Sequence, residues 1–562
     1  MFSRLPRRLG LVPVTNRPAL WVVQLLLLLL VLLLLAPLVA CKGSISSPGG
    51  DPGAGETGPG GGAGTDGRGL TTPRFAFPLD EVAPETGLRM ATRWEFAQAI
   101  ADFTGVAVDV AGLPRELDVQ NLDNDAARST VRDVGHMQTL LEIATDVAIR
   151  ADLDALLPCA ADACTDDELR AFLASAFVRE VGDSMLAPYR AAFDEKLGAE
   201  GAAFARRTVV QMALISPYFL YRTEIGAAGE LTGFELAAKL SYFLWGTRPD
   251  PELLASAEAG ALLTSAEYAA QVDRLLESPR AQERVTWLIH LWLGTDDFDH
   301  QVKTAAAELP EGLTELFYEE VRLLIEDVLF TEGGSLADLV RADYTYLNDT
   351  LAAHYGMGPV GTDEFVRVDL AGTDRRGILT TGLVLSAHSK ENGRSPIQRG
   401  AFLLQELMCH GFAPDAGIPA MALPDVGPDA TFRERFEPLE TTAPCSNCHQ
   451  TLNAGFAFER FDEVGRLQPE DVVMPDEVRG FFDLPPYDRI EFETTAEAVD
   501  GFATHPALQR CFVTQTYRYA QGRLPGSQDR AVLEALEGSF TGDVVGLFRE
   551  IALSGQFRRG VN

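Results

Sequence analysis

Apolar residues recur along most of this chain at three- and four-residue spacing, the period of a helix with one buried face. Phe96, Ala99, Ile100 and Phe103 form the first such run, opened by Thr92 and Glu95 at capping-box spacing and closed by Gly105. Thr232 and Glu235 repeat the device ahead of Leu236, Leu240, Phe243 and Leu244, with Gly246 as the stop. Thr264 and Glu267 do so again before Tyr268, Val272, Leu275 and Leu276. Ser278-Pro279 starts another helix through Val285, Leu288, Trp292 and Leu293, and 313–330 and 543–553 carry two more. Alternation at period two is brief, around 365–370 and 489–494. The pattern predicts a mainly α protein, with several helical subdomains in one body and a loop-rich segment near the C-terminus.

The N-terminus has a different pattern. Arg4, Arg7, Arg8 and Arg17 precede an uninterrupted apolar run over 25–35, which closes with Leu38-Val39-Ala40-Cys41. That ending resembles the bacterial lipobox, so 1–41 reads as a lipoprotein signal peptide and Cys41 as the lipid-bearing first mature residue. An uncleaved membrane-spanning helix over 19–35 is the alternative. Residues 42–75 are rich in Gly, Ser, Pro and Asp and bury too little to fold, which predicts a flexible tether. The body then divides into helical segments 76–150, 151–205 and 206–357, a segment over 358–480, and a C-terminal helical segment over 481–562. The expectation is an exported lipoprotein, on the outer membrane facing the periplasm or on the cell surface, joined to the membrane through its lipid.

Formal net charge is −34, and the first forty residues hold four arginines and no acid. Such an acidic body argues against nucleic acid or an anionic lipid surface as a partner. A basic protein or a cation remains open.

Cysteine placement carries the most specific chemistry. Cys445-Ser446-Asn447-Cys448-His449 has the spacing for covalent haem attachment: each thiol can add to one vinyl group, and the imidazole then faces the iron. The segment over 358–480 is thus haem-c-like, with Cys445, Cys448 and His449 as the cofactor-binding residues. Met474, in a downstream loop, and His388 are the main contenders for the second axial position, with His505 behind them. Arg394 and Arg399 could pair with haem propionates or with acids of the body. In an oxidising compartment Cys159 and Cys164 are expected to form a local disulfide, and Cys409 and Cys511 a second one.

Other polar groups have plainer readings. His136, His290 and His354 lie on or beside apolar helical faces and read as core histidines. Asp462 and Arg466 read as an internal ion pair, and Glu319, Glu320, Glu326 and Asp327 as a solvated helix face. No P-loop, Gly-x-Ser-x-Gly elbow or His-Glu-x-x-His occurs.

Several stretches together resemble one known assembly. They are RMATRWEFAQAIADFTG near the start; Glu168-Leu169-Arg170-Ala171-Phe172; Ser216-Pro217-Tyr218-Phe219-Leu220-Tyr221-Arg222; and LNDTLAAHYG with Asn348 and His354. Next come Arg394-Ser395-Pro396 with Arg399-Gly400, the CSNCH, Gly455-Phe456-Ala457 with Phe461-Asp462 and Gly465-Arg466, and TYRYAQGRL. In this order they resemble the secreted planctomycete-type multidomain family of domains of unknown function 1587, 1595, 1592, 1588 and 1585, from about residue 88 to the end. The resemblance implies this architecture and a haem, with no reaction attached. Members usually carry Asp-Pro after the motif histidine, with one more residue in that loop; here it reads Gln450-Thr451-Leu452-Asn453-Ala454.

The expected function is therefore a lipid-anchored c-type haem protein passing electrons to or from an exported redox partner protein. The alternatives are a non-catalytic surface or assembly lipoprotein, its CxxCH a disulfide or structural metal site, and a haem enzyme acting on a small oxidant.

Overall fold

The computed structural model describes residues 88–560 except 117–121, 126–129, 160–162, 227–228, 297, 299–302, 304–309, 412–429, 444 and 471. Cys41, the signal segment and the linker lie outside the described residues. Within them the protein is mainly α. Its sheets are two-stranded antiparallel ribbons: Leu88–Met90 with Tyr221–Thr223, Tyr344–Leu347 with Val366–Asp369, and Gly480–Phe482 with Ile490–Phe492. None of the described helices is long and apolar enough to cross a membrane.

Local signals set most helix ends. Thr92 and Glu95 close a reciprocal capping box on helix Arg93–Thr104, and Gly105 ends it in the left-handed region. Thr232 and Glu235 do the same for Gly233–Trp245, which Gly246 terminates. Thr264 caps Ser265–Leu276, but Glu267 does not reciprocate; its carboxylate instead binds Ser256 and Gln271. Helix Leu313–Glu326 continues as a π-helical turn, Asp327–Thr331.

Burial of these apolar faces builds two adjoining cores. One gathers Phe96, Ile100, Leu169, Phe193 and Val209 from the first third of the chain; the other runs from Leu231 to Phe557. Both expected disulfides form, Cys159–Cys164 five residues apart and Cys409–Cys511 across 102 residues.

A buried charge network joins the cores. Arg89 and Arg222 are cross-strand partners in the first ribbon, both buried. Glu95 accepts from Arg222 at 2.9 Å and from Arg284, on helix Pro279–Trp292, at 2.6 Å. Glu224 pairs with Lys239 at 2.8 Å and with Arg89 at 3.4 Å. Beside them, desolvation pushes the Asp123 carboxyl up to about 8.

One polar reading is corrected. Glu319 and Glu326 do lie on an exposed face, clamping Arg322. Glu320 faces the interior and is fully buried, accepting from Thr345 at 2.7 Å and from the Tyr355 hydroxyl. Position 320 falls on the apolar stripe with Phe317, Val321 and Leu324, so helix geometry takes its carboxylate inward.

Candidate functional site

The CxxCH sequence sits on a single helical turn. Helix Phe432–Thr441, opened by a Thr431–Glu434 capping box, leads into it. Ser446 N–H donates to Thr442 O at 3.0 Å, His449 N–H to Cys445 O at 3.0 Å, and Gln450 N–H to Ser446 O at 3.3 Å. This i to i−4 ladder through Ser446–His449 places positions 445, 448 and 449 on one face, as two attachment points and a neighbouring ligand require. Cys445 is buried and His449 half-buried. The imidazole meets Phe436 edge-on at 5.4 Å, and Phe436 packs on Phe456 at 5.3 Å and on Phe432 at 6.4 Å.

His449 Nδ1 is buried without a hydrogen-bond partner, and burial lowers the pKa of the ring, which favours the neutral form that binds metals. The residues present fit a covalent haem in register and in the chemistry of the imidazole. The acceptor that ordinarily orients the second ring nitrogen is not made here. Among the described residues no cluster of three or more His, Cys, Asp or Glu could hold a bare metal ion.

The loop that departs from the Asp-Pro pattern has structural work of its own. Its residues continue as a 3-10 helix, Thr451–Phe458. Gln450 donates to Glu440 O at 2.9 Å, Asn453 donates to the Glu440 carboxylate, and Asn453 Oδ1 accepts from Phe481 N–H at 2.8 Å. The loop therefore ties the motif back to helix Phe432–Thr441 and forward to strand Gly480–Phe482.

The 3-10 helix lies backbone to backbone against helix Pro396–Phe402. A Cβ on Gly455 would fall inside the Pro396 carbonyl, and one on Gly400 inside the Leu452 carbonyl. These two glycines explain why Arg399-Gly400 and Gly455-Phe456 stand out as a pair in the sequence. Gly455→Ala is expected to cost about 1–3 kcal/mol, because both contacting groups are main chain and can only move apart; a denaturant-unfolding midpoint unchanged from wild type would contradict this packing.

The remaining sequence-derived candidates lie as follows. Arg399 is fully buried: its two terminal nitrogens donate to the carbonyls of Phe458, Phe461, Asp462 and Leu385 and to Ser389 Oγ, and Nε is sealed without a partner. Its guanidinium stitches helix Pro396–Phe402 to the 458–462 turn and has little left for a propionate, which corrects that expectation. Arg394 faces Glu459, its Nε 3.5 Å from the carboxylate. Asp462 and Arg466 form their ion pair at 2.8 Å. His388 is also committed elsewhere: Nε2 is 2.7 Å from Leu293 O and the ring stacks on Phe402 at 3.7 Å. Burial holds it near pKa 4, as an interior packing residue, which corrects the axial-ligand expectation. His505 caps helix Pro506–Gln521 through Nδ1, and its Nε2 is buried and unpartnered. Met474 stands on the surface, 55% exposed.

Sequence reasoning passed over Glu459. It sits among Phe456, Phe458 and Phe461, is fully buried, and neither carboxylate oxygen has a hydrogen-bond partner. Desolvation, opposed by Arg394 and Arg399, pushes it up to about 7. A carboxyl raised above its unfolded value keeps its proton in the folded state while the unfolded chain loses one, so its contribution to stability falls as pH rises from about 4.5 to about 7. Glu459→Gln should therefore match wild type near pH 4.5 and be the more stable protein at pH 8. Parallel unfolding curves at the two pH values check this; a variant less stable at both would show that the charged form is the one the fold uses.

Two family models match the chain. Residues 231–357 match a protein of unknown function (DUF1592), and residues 375–471 match a protein of unknown function (DUF1588). The first covers the helices around the second core, and the second contains Arg394, Arg399 and the CxxCH turn. No curated protein and no solved structure matches.

Proposed function

We propose that this is a lipid-anchored c-type haem protein that passes electrons to or from an exported partner. In this reading the whole of the chain from residue 88 follows the five-domain family order, beyond the two matched segments. The observation that carries the proposal is the helical turn with positions 445, 448 and 449 on one face. Bound there, a haem would supply a one-electron couple. The chain's own contribution is to hold the turn by the Glu440, Asn453 and Phe481 contacts, to wall the imidazole with Phe436, and to keep that ring neutral. Cys41 would carry the lipid, and the 42–75 linker would let the body reach its partner from the outer membrane or cell surface.

The test is haem staining of a denaturing gel, with an optical spectrum, on the full chain from a host able to mature cytochromes c. A stained band in wild type that is lost in the Cys445→Ala/Cys448→Ala double variant is expected. An unstained wild-type chain would overturn the proposal. A spectrum that shifts on carbon monoxide would assign an open iron position, and with it chemistry on a small oxidant, in place of electron transfer alone.

A further inference from the structure

A second candidate site lies along helix Pro279–Trp292. Helix Pro279–Trp292 turns one stripe, positions 282, 283, 286, 287 and 290, toward a cleft of ≈ 430 Å³. Trp94 and helix Leu313–Glu326 supply its other walls. That volume is in the range of small-molecule sites.

At its inner end is His290, which is 7% exposed. His290 Nδ1 lies 2.9 Å from the Thr295 hydroxyl, which also reaches His290 O at 3.3 Å. That pairing occupies Nδ1 and leaves Nε2 to hydrogen-bond a ligand. Among the described residues Nε2 has no hydrogen-bond partner, and the ring lines the cleft. Burial holds the ring near pKa 4, so it stays neutral at physiological pH.

Aromatic surface adjoins it. The Trp94 and Trp287 indoles, both half-buried, are parallel within 9° at 6.4 Å. Gly246 is what lets Trp94 settle: a Cβ there would collide with the indole. The charges around the cleft then select the ligand. Arg284 lies over the Trp94 ring at 5.3 Å and is paired with Glu95, and Arg322 on the opposite wall is clamped by Glu319 and Glu326, so these wall charges are already paired with one another and an uncharged ligand leaves the pairs intact. Glu283 at the mouth and Glu326 disfavour an anion. What remains suited is a neutral ligand with an apolar face for the indoles and hydroxyls for His290 Nε2, the Gln282 amide and the Thr286 hydroxyl. Sugar C–H bonds carry a slight positive charge that suits the negative face of an aromatic ring.

We propose that this cleft binds a sugar ring of a neutral glycan. The test presents the fluorescently labelled full chain to an array of immobilised neutral, acidic and amino-bearing saccharides and of nucleosides, with wild type beside Gln282→Ala, a half-buried polar position, and His290→Phe, which nearly keeps the volume and removes the ring nitrogens. The expected result is binding confined to neutral saccharides, weakened at least tenfold in both variants with the circular dichroism spectrum unchanged. Should His290→Phe fail to fold, Gln282→Ala alone decides. No neutral saccharide bound, stronger binding of acidic or amino-bearing sugars or of nucleosides, or undiminished binding by Gln282→Ala would each overturn the proposal.

Discussion

Glu95→Gln is expected to lower the unfolding free energy by about 3–5 kcal/mol at neutral pH, the cost of removing one partner from a buried ion pair. The carboxylate is inaccessible and receives Arg222 and Arg284 on its two oxygens at 2.9 and 2.6 Å. Without its charge two guanidinium groups remain buried next to Arg89, their cross-strand and network neighbour. Glutamine is the informative replacement, since it still closes the capping box with Thr92 and nearly keeps the shape. Glu95→Ala should lose a further ~1 kcal/mol through the cap.

Acidity gives the same substitution a second reading. Burial raises the Glu95 pKa, but Arg222, Arg284 and Arg89 outweigh it and hold the group at about 2. A carboxylate depressed in the folded state contributes stability above its unfolded pKa and loses it as pH falls toward the folded one. The gap between wild type and Glu95→Gln should therefore be full above pH 4.5 and close progressively toward pH 2. A gap that stays constant across that window would mean the loss is one of packing rather than charge, and the network would have to be reassigned.

Glu95 also shows what could be read from the sequence and what could not. A capping box is a local device, fixed by residues three apart, so Thr92 and Glu95 were legible as a helix start. The two arginines that share the carboxylate lie 127 and 189 residues away, and no spacing rule connects them. Helix periods, the glycine stops at 105 and 246, and the mainly α class were legible for the same local reason. Glu267 marks the limit: it stands at capping-box spacing, but Ser256 and Gln271 hold its carboxylate instead.

The site was legible in the same uneven way. Two thiols and an imidazole within five residues stand out in the sequence, and they occupy a helical turn. Arg394 and Arg399 look alike in sequence, but Arg399 proves to be a main-chain brace, because its five acceptors are supplied by a turn sixty residues on and by its own neighbourhood. His290 was read as a core histidine, and it is one. That its ring also lines a cleft, with Nδ1 held by the Thr295 hydroxyl, is a three-dimensional fact that helical spacing does not carry. Glu320 and Glu459 were invisible for a related reason: a single acid within an apolar stripe looks like a surface break until the opposite wall is known.

Cys409→Ser/Cys511→Ser is expected to lose about 4–5 kcal/mol, the chain-entropy cost of releasing a loop of this length; the bridged residues are 102 apart. The closed segment contains the CxxCH turn, Gly455 and Glu459, so that region should loosen with it and lose its hydrogen-exchange protection first. Cys511 is fully buried in helix Pro506–Gln521, and Cys409 ends the π-helical turn Leu403–Leu407 at φ 50°, a left-handed conformation that costs a side chain roughly 1–2 kcal/mol. Cys409→Gly/Cys511→Ala removes the same bridge but relieves that conformation, offset in part by the extra freedom of glycine in the unfolded chain. It should therefore be more stable than the serine pair by up to about 1 kcal/mol while remaining well below wild type. Urea unfolding of the three proteins in one buffer separates the two terms. Equal midpoints for wild type and the serine pair would remove the bridge from the stability of this segment, and a glycine pair less stable than the serine pair would remove the backbone argument at residue 409.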